Sequence, residues 1–136
     1  MAQRRPNRTL GPGHDKFWEW CARDELRLPR CTRCSHLAWP IVETCEACGG
    51  ADFEWQQLSG VGRVVSACTF EQDYYGGTIA LPYQTILVEL DEGVMFVSNP
   101  HGLADGADPI GQRVRATFVE CEDAAGRFRL PVFAPA

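Results

Sequence analysis

Two cysteine pairs, Cys31-x-x-Cys34 and Cys45-x-x-Cys48, stand ten residues apart in a chain of 136 residues. No other feature restricts the fold as tightly. Each pair sits on a tight turn that aims two sulfurs at one point, and Gly49 follows the second pair where the backbone must curl. Two such turns facing each other give a tetrahedral four-thiolate site. Structural zinc is the reading, set against iron, redox thiols and unligated cysteines. With four protein sulfurs no coordination position stays open for water or substrate, so such a metal supplies folding energy rather than Lewis-acid chemistry. Zinc binding of this kind is worth roughly 10–16 kcal/mol, more than the whole stability of many domains.

Cys21, Cys68 and Cys121 have no spaced partners and read as small buried hydrophobes. His14, His36 and His101 complete the groups that titrate near neutrality. His36, two residues after Cys34, reads as a surface residue of the ribbon rather than a ligand. His101 lies in a loop, Asn99-Pro100-His101-Gly102, where it is either solvated or functional. No Ser/His/Asp or Cys/His arrangement, glycine-rich phosphate loop or open metal site is apparent, so no catalytic residue is assigned.

Charge narrows the functional classes. The net charge is −5, but residues 1–14 carry Arg4, Arg5 and Arg8 and no acid, which leaves 10 basic against 18 acidic residues, −8, from residue 15 onward. A surface this acidic repels phosphate backbones, which disfavours nucleic-acid binding. No apolar run is long enough to span a membrane and no secretory signal pattern opens the chain, so a soluble cytoplasmic protein is expected, in a compartment that keeps thiols reduced.

Three regions follow along the chain. Residues 1–14 are rich in Pro, Gly, Arg and Asn and read as a flexible arm. Residues 15–57 hold a short helix, with Asp15 as its N-cap and its end near Arg23, followed by the cysteine ribbon. Phe17, Trp18 and Trp20 make this helix apolar over a wide stripe, suited either to core packing or to a partner interface. Residues 58–136 show short alternating strands at about 62–70, 83–90, 94–98, 113–120 and 127–133, enough for a small closed sheet. Ile86, Val88 and Leu90 share one strand face, as do Val114, Ala116 and Phe118, and Phe128, Leu130 and Val132. Asp91-Glu92-Gly93 reads as a hairpin turn and residues 99–112 as a loop or short turn.

Several blocks in order carry a family resemblance: Phe17-Trp18, the cysteine pairs, Leu58-Ser59-Gly60-x-Gly62-x-Val64, Pro82-Tyr83, Leu87-Val88-Glu89-Leu90-Asp91-Glu92-Gly93, Ile110-Gly111 and Leu130-Pro131-x-Phe133. Together they resemble the OB-fold proteins with an N-terminal rubredoxin-like zinc ribbon, a domain family of unknown function associated with acyl-CoA metabolism. The resemblance implies a mostly β fold: a short N-terminal helix, a rubredoxin-like zinc ribbon and a five-stranded OB-fold barrel. It also implies a noncatalytic accessory subunit of a thiolase-like enzyme, a thiolase or retro-aldolase acting on acyl-CoA thioesters in steroid side-chain or fatty or aromatic acid catabolism. A fused or associated enoyl-CoA hydratase belongs to the same expectation. Ser35 stands where many relatives have glycine, and Ile41-Val42 where many carry a basic residue.

Beside that reading stand two others, a nucleic-acid-binding ribbon and barrel, and a stand-alone acyl-CoA carrier. For direct ligand contact the candidates are Tyr74 and Tyr75, in the long link Phe70–Gly77, together with Arg63 and His101. Arg63, Arg113, Arg115, Arg127 and Arg129 would meet CoA phosphates if the fold clusters them.

Overall fold

The computed structural model describes residues 2–103 and 108–136. Its elements are β1 (Gln3–Arg4), α1 (His14–Cys21), β2 (Arg27–Cys31), β3 (Phe53–Gln57), β4 (Val61–Phe70), β5 (Tyr83–Leu90), β6 (Met95–Ser98), β7 (Arg113–Asp123) and β8 (Gly126–Pro135). The five strands expected after residue 58 are all present, with ends displaced by three residues or fewer. β2 and β3, antiparallel around the cysteine turns, were not foreseen, because Pro29 and the cysteines interrupt any alternation there.

The barrel follows from how these strands pair. β4 pairs antiparallel with β5 through a bulge between Val64 and Ser66, and β5 pairs antiparallel with β6. Their hairpin turns at Asp91–Gly93, where Gly93 has φ 92°, a left-handed conformation that costs glycine nothing. The start of β4 pairs with the start of β7, and β7 runs antiparallel to β8. Closure comes just beyond β6. There the His101 N–H donates to the Phe133 carbonyl at 2.8 Å and the Phe133 N–H donates to the Asn99 carbonyl at 3.1 Å. The stretch beyond Leu103 in the expected 99–112 loop includes residues 104–107, which lie outside the described residues.

One core serves both modules. Ile86, Val88, Leu90, Phe96, Val114 and Phe133 from the barrel join Phe17 and Cys21 of α1 and Leu26 and Leu28 of the ribbon. Phe133, fully buried, is the main contribution of β8, whereas alternation had picked out Phe128, Leu130 and Val132. Both faces of β8 are covered: one looks into the barrel, and the other packs under α1 and the N-terminal segment. Alternation cannot register burial on two sides.

Two further expectations are corrected. Asp15 is not the helix cap: the capping position is Gly13, with φ 83°, and Asp15 Oδ1 instead accepts the Gly11 N–H at 2.9 Å. Cys68 is exposed on β4, while Cys21 and Cys121 are buried as foreseen. Burial pushes the Cys21 thiol up to about 12, with the charge of Asp24 adding to the shift, so this thiol stays protonated and inert.

The largest difference concerns the first 14 residues. Composition suggested a flexible arm, but the structure lays it along the barrel as a strap. β4 covers only the first part of β7, and β1 takes the next stretch of that edge in parallel pairing, Gln3 opposite Cys121 and Arg4 opposite Glu122. The Arg8 guanidinium then donates to Asp123 at 2.8 Å, and the Arg8 backbone N–H reaches the same carboxylate at 3.0 Å. Low apolar content misleads here because ladder bonds and one shielded ion pair hold the segment.

Gly62 and Asp123 generate the first two predictions. A Cβ at Gly62 would collide with the Glu89 carbonyl oxygen and lie 2.8 Å from Val88 Cγ1, on a paired strand that has no room to retreat. Gly62→Ala should therefore destabilise the barrel by about 3 kcal/mol in denaturant titration. The Arg8 side chain, then burial in opposition, sets the Asp123 carboxyl, and the net effect is a fall from 3.8 to about 2. Its contribution to strap docking is thus fully present above pH 3.8 and disappears as pH falls through about 2. Asp123→Asn should remove it at neutral pH, speeding hydrogen exchange at the Arg5 and Arg8 amides on the order of 10–100-fold.

Candidate metal centre and adjoining cleft

Cys31, Cys34, Cys45 and Cys48 converge so that all four sulfurs lie within 4.8 Å of one another. Two turns of matching form achieve this. Ser35 N–H donates to the Cys31 carbonyl at 2.9 Å, and Gly49 N–H to the Cys45 carbonyl at 2.7 Å. The residue closing each turn is left-handed, Ser35 at φ 67° and Gly49 at φ 77°. Serine is strained there and glycine is not.

The cluster has the dimensions of a metal site. Cys31 and Cys48 sulfurs are 3.5 Å apart, as are those of Cys34 and Cys45. A tetrahedron with sulfurs about 2.3 Å from its centre has edges of about 3.8 Å. Gly50 N–H points at Cys48 Sγ at 3.4 Å, and a Cβ on residue 50 would stand 3.3 Å from that sulfur and 3.4 Å from Cys31 Sγ. The Cys34 backbone N–H, aided by that of Arg33, draws the Cys31 thiol down to about 7. At Cys34 the His36 N–H also favours the thiolate, but burial and the surrounding sulfurs outweigh it and push the thiol up to about 12. Four adjacent thiolates repel one another unless a metal ion compensates them. The His36 side chain is exposed, and its carbonyl accepts the Cys31 N–H.

Beside the ribbon lies a cleft of about 610 Å³, bounded by the strap, α1, the Trp39-Pro40 turn, the β4–β5 link and β8. An aromatic series ties ribbon to barrel, and its members Phe17, Trp39 and Phe96 line the cleft. Phe17 meets Trp39 at 4.8 Å between ring centroids, Trp39 stacks on Phe96 at 5.2 Å, and Phe96 reaches Phe133 at 6.1 Å. Across it Phe70 stacks on Tyr83 at 4.9 Å, with Tyr75 beside them. Burial raises the Tyr83 phenol above its ordinary value, Tyr75 reinforces the shift and Arg5 opposes it. Arg5 also donates to Asn99 Oδ1 at 2.9 Å.

The foreseen ligand and interface candidates separate. Tyr75 lines the cleft, while Tyr74, 62% exposed, packs edge-on to Phe70 outside the lining. Arg63 is exposed on β4, and His101 is exposed just beyond β6, where its backbone N–H helps to close the barrel. Phe17 is core, and Trp18 is half-buried against Phe128 at 5.3 Å with its Nε1–H donated to the Thr9 carbonyl. Trp20 lies on another side, with the Arg27 guanidinium over its ring at 4.2 Å. Arg63 stands opposite Arg113 in the β4–β7 register and Arg115 is exposed beside them, but three of the five arginines are engaged by carboxylates. Arg113 is bidentate to Asp91, Arg129 pairs with Asp24 and Glu120, and Arg127 pairs with Glu122. Arg5, Trp39 and Asn99 were missed: nothing local in a Pro- and Asn-rich arm marks Arg5 as half-buried.

Residues 55–119 match the family described as ChsH2, C-terminal OB-fold domain. A chain of the solved Ltp2-ChsH2(DUF35) aldolase superposes with a TM-score of 0.82 at 29% identity, covering 95% of this chain and 98% of that one. The chain is thus similar, over nearly its whole length, to OB-fold proteins of the DUF35 family. A second DUF35 protein, from Sulfolobus solfataricus and of unknown function, shares the fold with a TM-score of 0.59 at 15% identity, over 93% of this chain and 87% of its own. Among curated proteins, the "Probable enoyl-CoA hydratase alpha subunit" of Thermomonospora curvata is 30% identical over 132 residues, 97% of this chain. The chain spans 40% of that relative's length. No helix among the described residues is long and apolar enough to cross a membrane.

The ribbon yields a test of its own geometry. Ser35→Gly removes left-handed strain at the cost of backbone entropy, and should raise the stability of the metal-loaded protein by about 0.5–1 kcal/mol in thermal unfolding.

Proposed function

We propose that this chain is a zinc-stabilised, noncatalytic accessory subunit that docks a thiolase-like enzyme acting on acyl-CoA thioesters. The observation that carries the reading is the likeness, over almost the full length of both chains, to a chain of the Ltp2-ChsH2(DUF35) aldolase. The four-sulfur cluster supports the structural half of the proposal. Cysteine sulfur is a preferred ligand of zinc, the separations suit its tetrahedral shell, and a shell filled by protein leaves no position for substrate. Reactivity then belongs to the partner, while this chain supports it. The match to a named hydratase subunit supports an acyl-CoA setting in which an enoyl-CoA hydratase is fused or associated.

Elemental analysis of the purified protein should give one zinc per chain. Cys45→Ser should abolish it and unfold the ribbon, a loss visible in near-ultraviolet circular dichroism. Affinity purification of the tagged chain from its source cell should bring down a thiolase-like polypeptide, and acyl-CoA cleavage should require both chains. Turnover of an acyl-CoA thioester by this chain alone would overturn the accessory role. Binding of single-stranded DNA at low salt would favour the nucleic-acid reading instead.

A further inference from the structure

None of the four clustered cysteines lines the cleft, and its walls are mainly apolar. Trp39, Phe96, Tyr83, Phe128 and Leu130 supply apolar surface, and the volume of about 610 Å³ falls in the range of small-molecule pockets. Charge makes it unlike the remainder of the molecule. The chain carries 18 acidic residues, and none of them lines the cleft among the described residues. Its guanidinium groups are Arg5 and Arg8, and His14 lines it as well. Arg8 is neutralised by Asp123 at 2.8 Å. Arg5 has no carboxylate partner among the described residues: its one side-chain contact is the neutral Asn99 Oδ1.

That contact fixes where Arg5 points. Asn99 is itself anchored, its Nδ2 donating to the Gln84 carbonyl at 2.8 Å, so its oxygen is turned to the guanidinium. A guanidinium has five N–H donors, and the remaining ones are open to a carboxylate in the bidentate geometry that arginine favours. Arg5 is half-buried, which strengthens its pairing with an anion relative to open water. We propose that the cleft binds an apolar monoanion, an aliphatic or ring-bearing carboxylate whose head pairs with Arg5 and whose body lies against the aromatic walls. The inference concerns this chain without its partner, so it stands or falls separately from the accessory role.

The metal-loaded full chain is titrated with anilinonaphthalene sulfonate, a fluorescent apolar monoanion, and the dye is then displaced with dodecanoate or with uncharged dodecanol. One dye should bind per chain, with energy transfer from Trp39, and dodecanoate should displace it about tenfold more effectively than dodecanol. Arg5→Met should weaken dodecanoate by about tenfold and leave dodecanol unchanged. Ile79→Trp, placed on the β4–β5 link outside the barrel strands, and Leu130→Trp should each fill the cleft and weaken both ligands. Unchanged thermal midpoints would show that these variants remain folded, and Ile79→Trp serves if Leu130→Trp does not fold. Non-saturating dye uptake, or dye binding untouched by Ile79→Trp, would overturn the site. Equal displacement by alcohol and carboxylate, together with an inert Arg5→Met, would overturn its anionic preference.

Discussion

Four sulfurs held within 4.8 Å of one another are the constraint on which the first half of this molecule depends. Between Cys31 and Phe53 the chain has no regular secondary structure, only two turns closed by left-handed residues. Apolar burial there is slight, and a cation shared by the four sulfurs would supply the cohesion that a core supplies elsewhere. Holding the turns also holds what they present, and the most important of these is Trp39.

Trp39 is where ribbon and barrel become one body. It lies between Phe17 of the helix and Phe96 of the barrel, and Phe96 in turn contacts Phe133 beside the hydrogen bonds that close the sheet. Aromatic pairs of this kind add about 0.5–1.5 kcal/mol each beyond their buried area. Because rings are flat and rigid, they leave a smooth trough alongside the contact. The cleft is thus a by-product of joining two small modules through aromatic side chains, with the strap supplying its remaining wall.

The barrel was largely legible in the sequence because strands buried on one side alternate, as Ile86, Val88 and Leu90 do, and because Gly93 marks its turn. The convergence of the four cysteines was legible because the spacing of the two pairs sets it. What escaped was set by distant partners. Phe133 could not be distinguished from Val132 while β8 was assumed to face one core, and Cys68 could not be distinguished from Cys121 without knowing which side of the sheet each faces. Nothing in Gln3-Arg4-Arg5 signals a strand, since the edge it pairs with lies more than a hundred residues away. Phe17 and Trp18 could have served either core or interface, and only the packing of Phe96 and Phe128 against them decides where each stands.

The parallel pairing of Gln3 with Cys121 also has a bearing on the order of assembly. Gln3 and Arg4 must wait, because the edge that receives them is made more than a hundred residues later. Ring closure through Phe133 comes later still. Contacts so far apart along the chain carry a large loop-closure penalty and form slowly unless nearer ones have already drawn the ends together. The cysteine turns, complete within eighteen residues, are suited to organise early and give the nascent polypeptide a folded nucleus while its barrel is unfinished.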